Sequence, residues 1–154
     1  MSRICVTGAA GFIASHVIVN LLDGGHAVNA TVRDLGNDAK RAHLDALKEQ
    51  HPGKLELFEA DLLEPGSLDA ALEGCDALIH TAAAVVLAAP DPQKQIIDVA
   101  VKGTQNVLDS VARTPSIKRI VMTSSIAAVM NYEQQDKTYT EDDWCTSDDI
   151  WLDP

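Results

Sequence analysis

The chain opens with a strand–turn–helix pattern built around two closely spaced glycines. The apolar run Arg3–Thr7 leads into Gly8 and Gly11, and apolar side chains then recur at helical spacing over Phe12–Leu22. Gly8 allows a tight turn, Gly11 lets a phosphate approach the backbone, and small Ala14 lets the helix pack close to the strand. Free amides at a helix start attract anions. The pattern therefore predicts a phosphate cradle, with an ordinary strand-to-helix turn as the alternative.

Strand-like and helical segments alternate along the rest of the chain. The predicted strands are Arg3–Thr7, Ala27–Val32, Leu55–Glu59, Ala77–Thr81 and Arg119–Thr123, and the predicted helices are Phe12–Leu22, Ala39–Gln50, Ser67–Leu72 and Pro92–Ala112. This alternation is typical of one α/β domain in which helices cover both faces of a parallel sheet. In such sheets ligands bind at the carboxyl ends of the strands, where the candidate residues below are found.

The composition excludes several classes of function. Twelve basic and 23 acidic residues give a net charge of −11, which argues against a nucleic-acid partner. Apolar runs fall short of the roughly 20 residues of a membrane helix, and a strand begins almost at Met1, so we expect neither a membrane span nor a signal peptide. Cys5, Cys75 and Cys145 are widely spaced and the five histidines are scattered. We expect no metal site, and reduced thiols in a cytoplasmic protein.

The residues after the second strand indicate which dinucleotide is bound. An acidic residue about 20 positions past the glycine turn binds a free ribose, whereas an arginine accommodates a 2′-phosphate. Arg33 lies 19 positions past Ala14, because 33 − 14 = 19, and its guanidinium can bind phosphate through two hydrogen bonds. Lys40 offers a second cation, with an ordinary surface lysine as the alternative. NADP is therefore favoured, and the adjacent Asp34 keeps NAD as the less favoured alternative.

The ends of the third and fourth strands carry further candidate contacts. After the third strand, Asp61 can accept a hydrogen bond from an adenine amino group and Leu62 can pack beside the ring; the alternative is an aspartate that merely begins a helix. Small residues after the fourth strand let ribose and pyrophosphate lie against the backbone, or simply pack tightly; these are Thr81, Ala82 and Ala83.

A serine pair follows the fifth strand. A serine there faces the nicotinamide region of such a fold and can hydrogen-bond a substrate carbonyl. Ser125 is the predicted catalytic residue, and Ser124 is the alternative if the register shifts by one. The sequence contains neither a Ser-His-Asp arrangement nor a Gly-x-Ser-x-Gly motif.

Together these motifs closely resemble the extended short-chain dehydrogenase/reductase family of the NAD-dependent epimerase/dehydratase superfamily. The branch most similar contains dihydroflavonol reductases, cinnamoyl-CoA reductases and yeast-type carbonyl reductases. The resemblance is carried by residues 6–14, 31–34, 60–62, 101–104, 123–125 and 141–144.

The resemblance implies a Rossmann-type sheet and a role for each candidate residue. It assigns the pyrophosphate to Gly8, Ala10, Gly11, Phe12 and Ile13, the 2′-phosphate to Arg33 and Lys40, the adenine to Asp61 and Leu62, the ribose side to Thr81, Ala82 and Ala83, and the catalytic serine to Ser125.

The sequence departs from this family at the proton donor. The family uses a Tyr-x-x-x-Lys pair, whereas Asp136 lies four residues past Tyr132 and Asp143 lies four past Tyr139. The pair is expected a little beyond Pro154. We therefore expect residues 1–154 to be the amino-terminal NADP-binding domain of a longer reductase, truncated after the fifth strand and lacking the catalytic helix and substrate lobe. A fragment, a cleaved product and a shortened reading frame explain this equally well.

The leading interpretation is an NADP-dependent oxidoreductase that converts a ketone or aldehyde into an alcohol, or the reverse. A non-catalytic NADP-binding sensor and a nucleotide-sugar epimerase or dehydratase are the alternatives. The expected partner is a small carbonyl or alcohol substrate. We also expect Ile120, Val121 and Met122 to lie on an open sheet edge, so that the chain self-associates or needs its missing half.

The missing pair predicts a catalytic defect in the isolated chain. General acid–base catalysis contributes about 10²–10⁴-fold, so the purified 154 residues are expected to oxidise NADPH far more slowly than an intact reductase. The measurement is NADPH oxidation with a panel of aldehydes and ketones. Rapid turnover would contradict the expectation, and Tyr132 and Tyr139 would then be the first residues to substitute.

Overall fold

The computed structural model describes residues 1–83, 90–130 and 136–145, so Tyr132 and the last nine residues lie outside the described part of the chain. The strands are β1 (Arg3–Thr7), β2 (Ala27–Val32), β3 (Leu55–Glu59), β4 (Ala77–His80) and β5 (Arg119–Met122). The α-helices are α1 (Phe12–Asp23), α2 (Asp38–Gln50), α3 (Asp69–Leu72) and α4 (Asp98–Ala112).

The five strands form one parallel sheet in the order β3-β2-β1-β4-β5. The central strand β1 pairs with β2 on one side, where Cys5 is opposite Asn29, and with β4 on the other, where Thr7 is opposite His80. Strands β2 and β3 lie on one side of β1, and β4 and β5 lie on the other side, so the direction in which strands are added reverses at β4. This arrangement confirms the Rossmann-type parallel sheet.

Each face of the sheet carries its own apolar core, which confirms helices on both faces. On one face, Ile18 of α1 and Leu44 of α2 pack against β1, β2 and β3 and are fully buried. On the other face, Leu72 of α3 and Val107 of α4 pack with Cys5 of β1. A fully buried leucine or valine side chain contributes about 1.5–3 kcal/mol, so the helices hold the sheet from both sides.

Several predicted element boundaries differ from those observed. Strands β4 and β5 end at His80 and Met122, one residue earlier than predicted. Helix α3 begins at Asp69 rather than Ser67, because the Ser67 hydroxyl donates to the carbonyl oxygen of Asp61 at 2.6 Å instead of capping the helix. Helix α1 extends one residue further than predicted, to Asp23, and α2 begins one residue earlier.

The long helix before β5 has two parts. Gln93–Ile97 form a π-helical turn, and α4 continues from Asp98 to Ala112. Gly103 is buried, and a Cβ placed on it would lie 3.1 Å from the Cβ of Leu62. The absence of a side chain at Gly103 therefore lets α4 approach the segment that follows β3.

The chain divides into two compact units, Met1–Met122 and Thr123–Pro154. The first unit contains the whole sheet and the four α-helices. In the described part of the second unit, Ser125 precedes a 3₁₀ turn, Ile126–Ala128. Among the residues described, no helix is both long enough and apolar enough to cross a membrane.

The turn after β1 gives a test of the fold. Gly8 has φ +69°, and a Cβ on it would lie 2.8 Å from the Cα of Ala82; Gly53 has φ +71° but nothing within 4 Å. Left-handed backbone costs about 1–2 kcal/mol for a residue with a side chain. Gly8→Ala is therefore expected to lower the free energy of unfolding by clearly more than Gly53→Ala, measured by urea denaturation. Equal losses would contradict the close approach to Ala82.

Candidate dinucleotide-binding site

The glycine turn is held by the strands on either side of it. The amide of Gly11 donates to the carbonyl oxygen of Gly8 at 2.8 Å, and the amide of Ala9 donates to the carbonyl oxygen of Thr31 at 2.9 Å. Ala9 is buried, whereas Ala10 and Gly11 are exposed. The predicted cradle is therefore a tight turn that is anchored to β2 and open to solvent on its outer side.

The amides that follow this turn are available to a ligand. Helix α1 begins at Phe12, and its cap residue Gly11 has no side chain to satisfy the first turn. Within the described residues, the amides of Ala10, Phe12, Ile13 and Ala14 have no hydrogen-bond acceptor. Such a set of amides at the positive end of a helix dipole suits a phosphate. The aromatic ring of Phe12 is 81% exposed beside them.

A buried threonine joins this turn to the end of β4. The Oγ1 atom of Thr7 lies 3.1 Å from the amide nitrogen of Thr81 and 3.2 Å from that of Ala82. It also lies 2.7 Å from Nδ1 of His80. The hydroxyl of Thr81 in turn donates to the carbonyl oxygen of Thr7. Thr81 and Ala82 are therefore fixed against β1, while Ala83 is exposed.

These contacts settle the protonation state of His80. A hydroxyl has one hydrogen and two acceptor lone pairs, and two amides already donate to the Thr7 oxygen. Its hydrogen must therefore point to Nδ1 of His80, which acts as the acceptor, so the ring is neutral with its hydrogen on Nε2. Burial lowers the pKa of His80 below its ordinary value of 6.5, in agreement with a neutral ring.

Beside the end of β2, two carboxylates each accept one hydrogen bond from the loop, whereas two cations have no partner in the described segments. Oδ1 of Asp34 accepts from the amide of Gly36 at 2.7 Å, and Oε2 of Glu59 accepts from the amide of Leu35 at 2.9 Å. Arg33 and Lys40 are exposed, and neither side chain has an ion pair or hydrogen bond within the described segments. This strand end therefore presents unpaired positive charge.

The neighbouring Arg41 illustrates the opposite arrangement. Its guanidinium contacts Asp38 and Asp45, both at 2.9 Å, and donates to the carbonyl oxygen of Leu35. Three contacts hold it to the first turns of α2 and to the loop before them. Arg41 thus stabilises the loop, whereas Arg33 remains available for an anion.

The segment after β3 combines a structural role with one free acceptor. Oδ1 of Asp61 accepts from the amide of Leu63 at 2.8 Å, while its Oδ2 has no partner in the described segments. The carbonyl oxygen of Leu62 accepts from the side-chain amide of Asn106 at 2.8 Å, and its side chain packs against Gly103. Leu62 is thus fixed by α4, and Asp61 keeps one oxygen that can accept from a ligand.

Ser125 belongs to the second compact unit and is exposed. Its Oγ accepts from the amide of Ala127 at 3.2 Å and caps the 3₁₀ turn. Because the cap uses an oxygen lone pair, the hydroxyl hydrogen stays free to donate. The neighbouring Ser124 is also exposed and does not cap this turn.

An open groove runs along the outer side of α1. Its lining shares Phe12 and Ile13 with the cradle but contains no lysine, arginine or carboxylate; the lining residues are Phe12, Ile13, His16, Val17, Asn20, Leu21, Gly24 and His26. The groove therefore offers no cationic side chain to a phosphate.

Sequence reasoning missed four structural contributors to the site. Thr7, His80, Gly103 and Asn106 make contacts that join elements far apart in the sequence. A usable signal existed for two of them, since Thr7 and His80 are polar residues that end otherwise apolar strands. In the described part of the chain no histidine, cysteine or carboxylate cluster has the geometry of a metal site.

A parallel sheet in the order β3-β2-β1-β4-β5, with a glycine turn after its central strand, defines a Rossmann-type fold. Residues 5–153 match the model of the 3-beta hydroxysteroid dehydrogenase/isomerase family, and the chain belongs to that family. Membership confirms the resemblance to the epimerase/dehydratase superfamily.

Named relatives place the chain near plant and yeast reductases. It is 44% identical to the cinnamoyl-CoA reductase CAD2 of Medicago truncatula, over 96% of this chain and 48% of the relative. It is 38% identical to the dihydroflavonol 4-reductase of Gerbera hybrida, over 97% of this chain and 41% of the relative. The crystal structure of Gre2 from Candida albicans in complex with NADPH is similar with a TM-score of 0.85 and 32% identity, over 96% of this chain and 45% of that one. The chain thus spans less than half the length of these proteins.

The neutral state of His80 predicts a pH dependence of stability. Because its pKa is lowered in the folded chain, the unfolded chain takes up the proton first as the pH falls through about 6.5. The free energy of unfolding of the wild type should therefore fall more between pH 7.5 and pH 5 than that of His80→Asn, by at most about 1.4 kcal/mol per pH unit. Urea denaturation across this range measures the difference. Identical pH profiles would contradict a depressed pKa at His80.

Proposed function

We propose that these residues form the NADP-binding part of an oxidoreductase that reduces a ketone or aldehyde to an alcohol, or catalyses the reverse reaction. The observation that carries the proposal is the charge arrangement at the end of β2. Arg33 and Lys40 are unpaired in the described segments, and one oxygen of the neighbouring Asp34 accepts from the amide of Gly36. A free ribose would be bound by an acid at this position, and a 2′-phosphate by these cations.

The proposed contacts follow the open groups of the site. The amides of Ala10, Phe12 and Ile13 bind the pyrophosphate, and Gly8 and Gly11 keep the turn clear of side chains. Arg33 and Lys40 bind the 2′-phosphate. Oδ2 of Asp61 accepts from the adenine amino group beside Leu62. The ribose side lies against Thr81, Ala82 and Ala83.

Ser125 is the proposed catalytic residue. When bound, NADPH supplies the hydride. The hydroxyl hydrogen of Ser125 is free because its oxygen caps the turn at Ala127, and it donates to the carbonyl oxygen of the substrate. This hydrogen bond orients the carbonyl and stabilises the negative charge that develops on its oxygen. Ser124 remains the alternative donor.

The relatives support a reductase over the two other functions considered. Cinnamoyl-CoA reductase and dihydroflavonol 4-reductase are the named activities of two of them, and Gre2 was solved with NADPH. A nucleotide-sugar epimerase or dehydratase and a non-catalytic NADP sensor are therefore less favoured. We further propose that residues 1–154 act as a single NADP-binding domain in the cytoplasm, where unpaired thiols such as buried Cys5 and Cys75 persist.

The exposed edge strand supports a proposal of self-association. Strand β5 is the last in the sheet order, and Ile120, Val121 and Met122 are 38%, 51% and 44% exposed. An apolar edge strand with unpaired backbone groups is a template for pairing with another chain. We propose that two copies of this chain associate through β5.

Arg33→Ala tests the cofactor assignment. The loss of a charge-assisted phosphate contact is expected to weaken NADPH binding by roughly 1.5–3 kcal/mol, about tenfold or more, and to leave NADH binding unchanged. Isothermal titration of both cofactors measures this. Lys48→Ala, which removes an exposed cation from the far end of α2, is the matched control and should change neither affinity. Equal loss of both cofactors in Arg33→Ala, or no NADPH binding by the wild type, would overturn the assignment.

Val121→Lys tests the edge contact. A lysine in the middle of β5 should block pairing between strands, so the variant is expected to sediment as a monomer while the wild type sediments as a dimer or larger species. Val101→Lys places the same charge on an exposed position of α4 and should sediment like the wild type. A monomeric wild type would refute association through β5.

A further inference from the structure

The strand order reverses between β1 and β4, and the ends of these two strands are joined by side chains. Thr7 is the last residue of β1, His80 is the last residue of β4, and the two are opposite each other in the sheet. In open α/β sheets a dinucleotide binds in the crevice at such a reversal. The groups that determine the spacing of these two strand ends therefore determine the shape of the crevice.

The join is made by one buried hydroxyl with all of its hydrogen-bonding capacity in use. Oγ1 of Thr7 accepts from the amides of Thr81 and Ala82 at 3.1 and 3.2 Å and lies 2.7 Å from Nδ1 of His80. Thr7 is fully buried and His80 is 4% exposed. Since the imidazole can only accept, it orients the hydroxyl so that both lone pairs face the two amides.

The segment held in this way is in close contact with the cradle. A Cβ on Gly8 would meet the Cα of Ala82 at 2.8 Å and its Cβ at 3.1 Å. Because the two backbones are closer than a residue with a side chain would permit, a shift of Ala82 changes the packing of the turn that begins at Gly8. The amides offered to the pyrophosphate belong to that turn and to the first turn of α1.

We infer that Thr7 and His80 are positioning residues for the dinucleotide: the imidazole orients the Thr7 hydroxyl, which holds the backbone after β4 against the glycine turn. The inference rests on the proposed NADP function. It adds two residues that do not touch the cofactor and act through the backbone of Thr81 and Ala82.

Thr7→Val is the primary test, with Thr7→Ser as the conservative partner. Valine has nearly the shape of threonine but leaves two partly buried amides and the imidazole without their partner, so NADPH affinity is expected to fall about tenfold or more. Serine keeps the hydroxyl and should bind NADPH within about threefold of the wild type. His80→Leu removes the acceptor and should weaken binding, whereas His80→Asn, which places an amide oxygen near the position of Nδ1, should weaken it less.

A stability control separates positioning from general loosening. The side chain of Asn29 in the middle of β2 is buried and donates to the carbonyl oxygen of Ala71 at 2.8 Å. Asn29→Ala is expected to lower the unfolding temperature while leaving NADPH affinity near that of the wild type, at a temperature where every variant is folded. Equal affinity losses in Asn29→Ala and Thr7→Val, or failure of Thr7→Ser to restore binding, would overturn the inference.

The wild-type titration separates this inference from the function on which it rests. If the wild type binds no NADPH, both are overturned. If the wild type binds NADPH and Thr7→Val binds it equally well, the positioning role is wrong and the cofactor assignment stands.

Discussion

The close contact between the backbone after β1 and the backbone after β4 constrains the whole site. Gly8 needs both its positive φ and its missing side chain, since any Cβ would strike Ala82. That contact brings the cradle to the point where the strand order reverses, and Thr7 ties the two segments together from the buried side. The glycine turn, the segment after β4 and the central strand are consequently joined by close backbone contact and by hydrogen bonds. The helices that pack on the two faces of the sheet support this arrangement.

The electrostatics of the site differ from those of the chain as a whole. A net charge of −11 would repel an anionic ligand, yet the groups around the cradle are locally favourable. Asp34 and Glu59 each accept one hydrogen bond from a loop amide, and Asp38 and Asp45 of α2 pair with Arg41, so Arg33 and Lys40 are left unpaired within the described segments. Distant acidic charge is screened beyond roughly 8–10 Å at physiological salt. Local pairing therefore decides which side chains can meet a phosphate.

The sequence predicted the elements of the fold well, because glycine punctuation and apolar periodicity are local signals. All five strands lie where the pattern placed them, with differences of one residue at the ends of β4 and β5. The predicted helix Ser67–Leu72 begins only at Asp69, and the Ser67 hydroxyl donates to the carbonyl oxygen of Asp61. Thr7 and His80 could have been noticed as polar residues at strand ends, but their mutual contact could not be predicted, since it joins residues 73 positions apart. Roles of the individual site residues remain predictions, to which the structure adds positions and free hydrogen-bonding groups.

The same separation of 73 positions has a consequence for the order in which the molecule assembles. Strand β1 meets β2 after a short connection, but its other edge waits until β4 has been synthesised. Closing so long a loop is entropically costly, and pairing between distant parallel strands is intrinsically slow. A nascent chain therefore contains the glycine turn within its first dozen residues, but the segment after β4 that packs against this turn is synthesised much later. Until then the apolar edge of β1 is open to chaperones and to other chains.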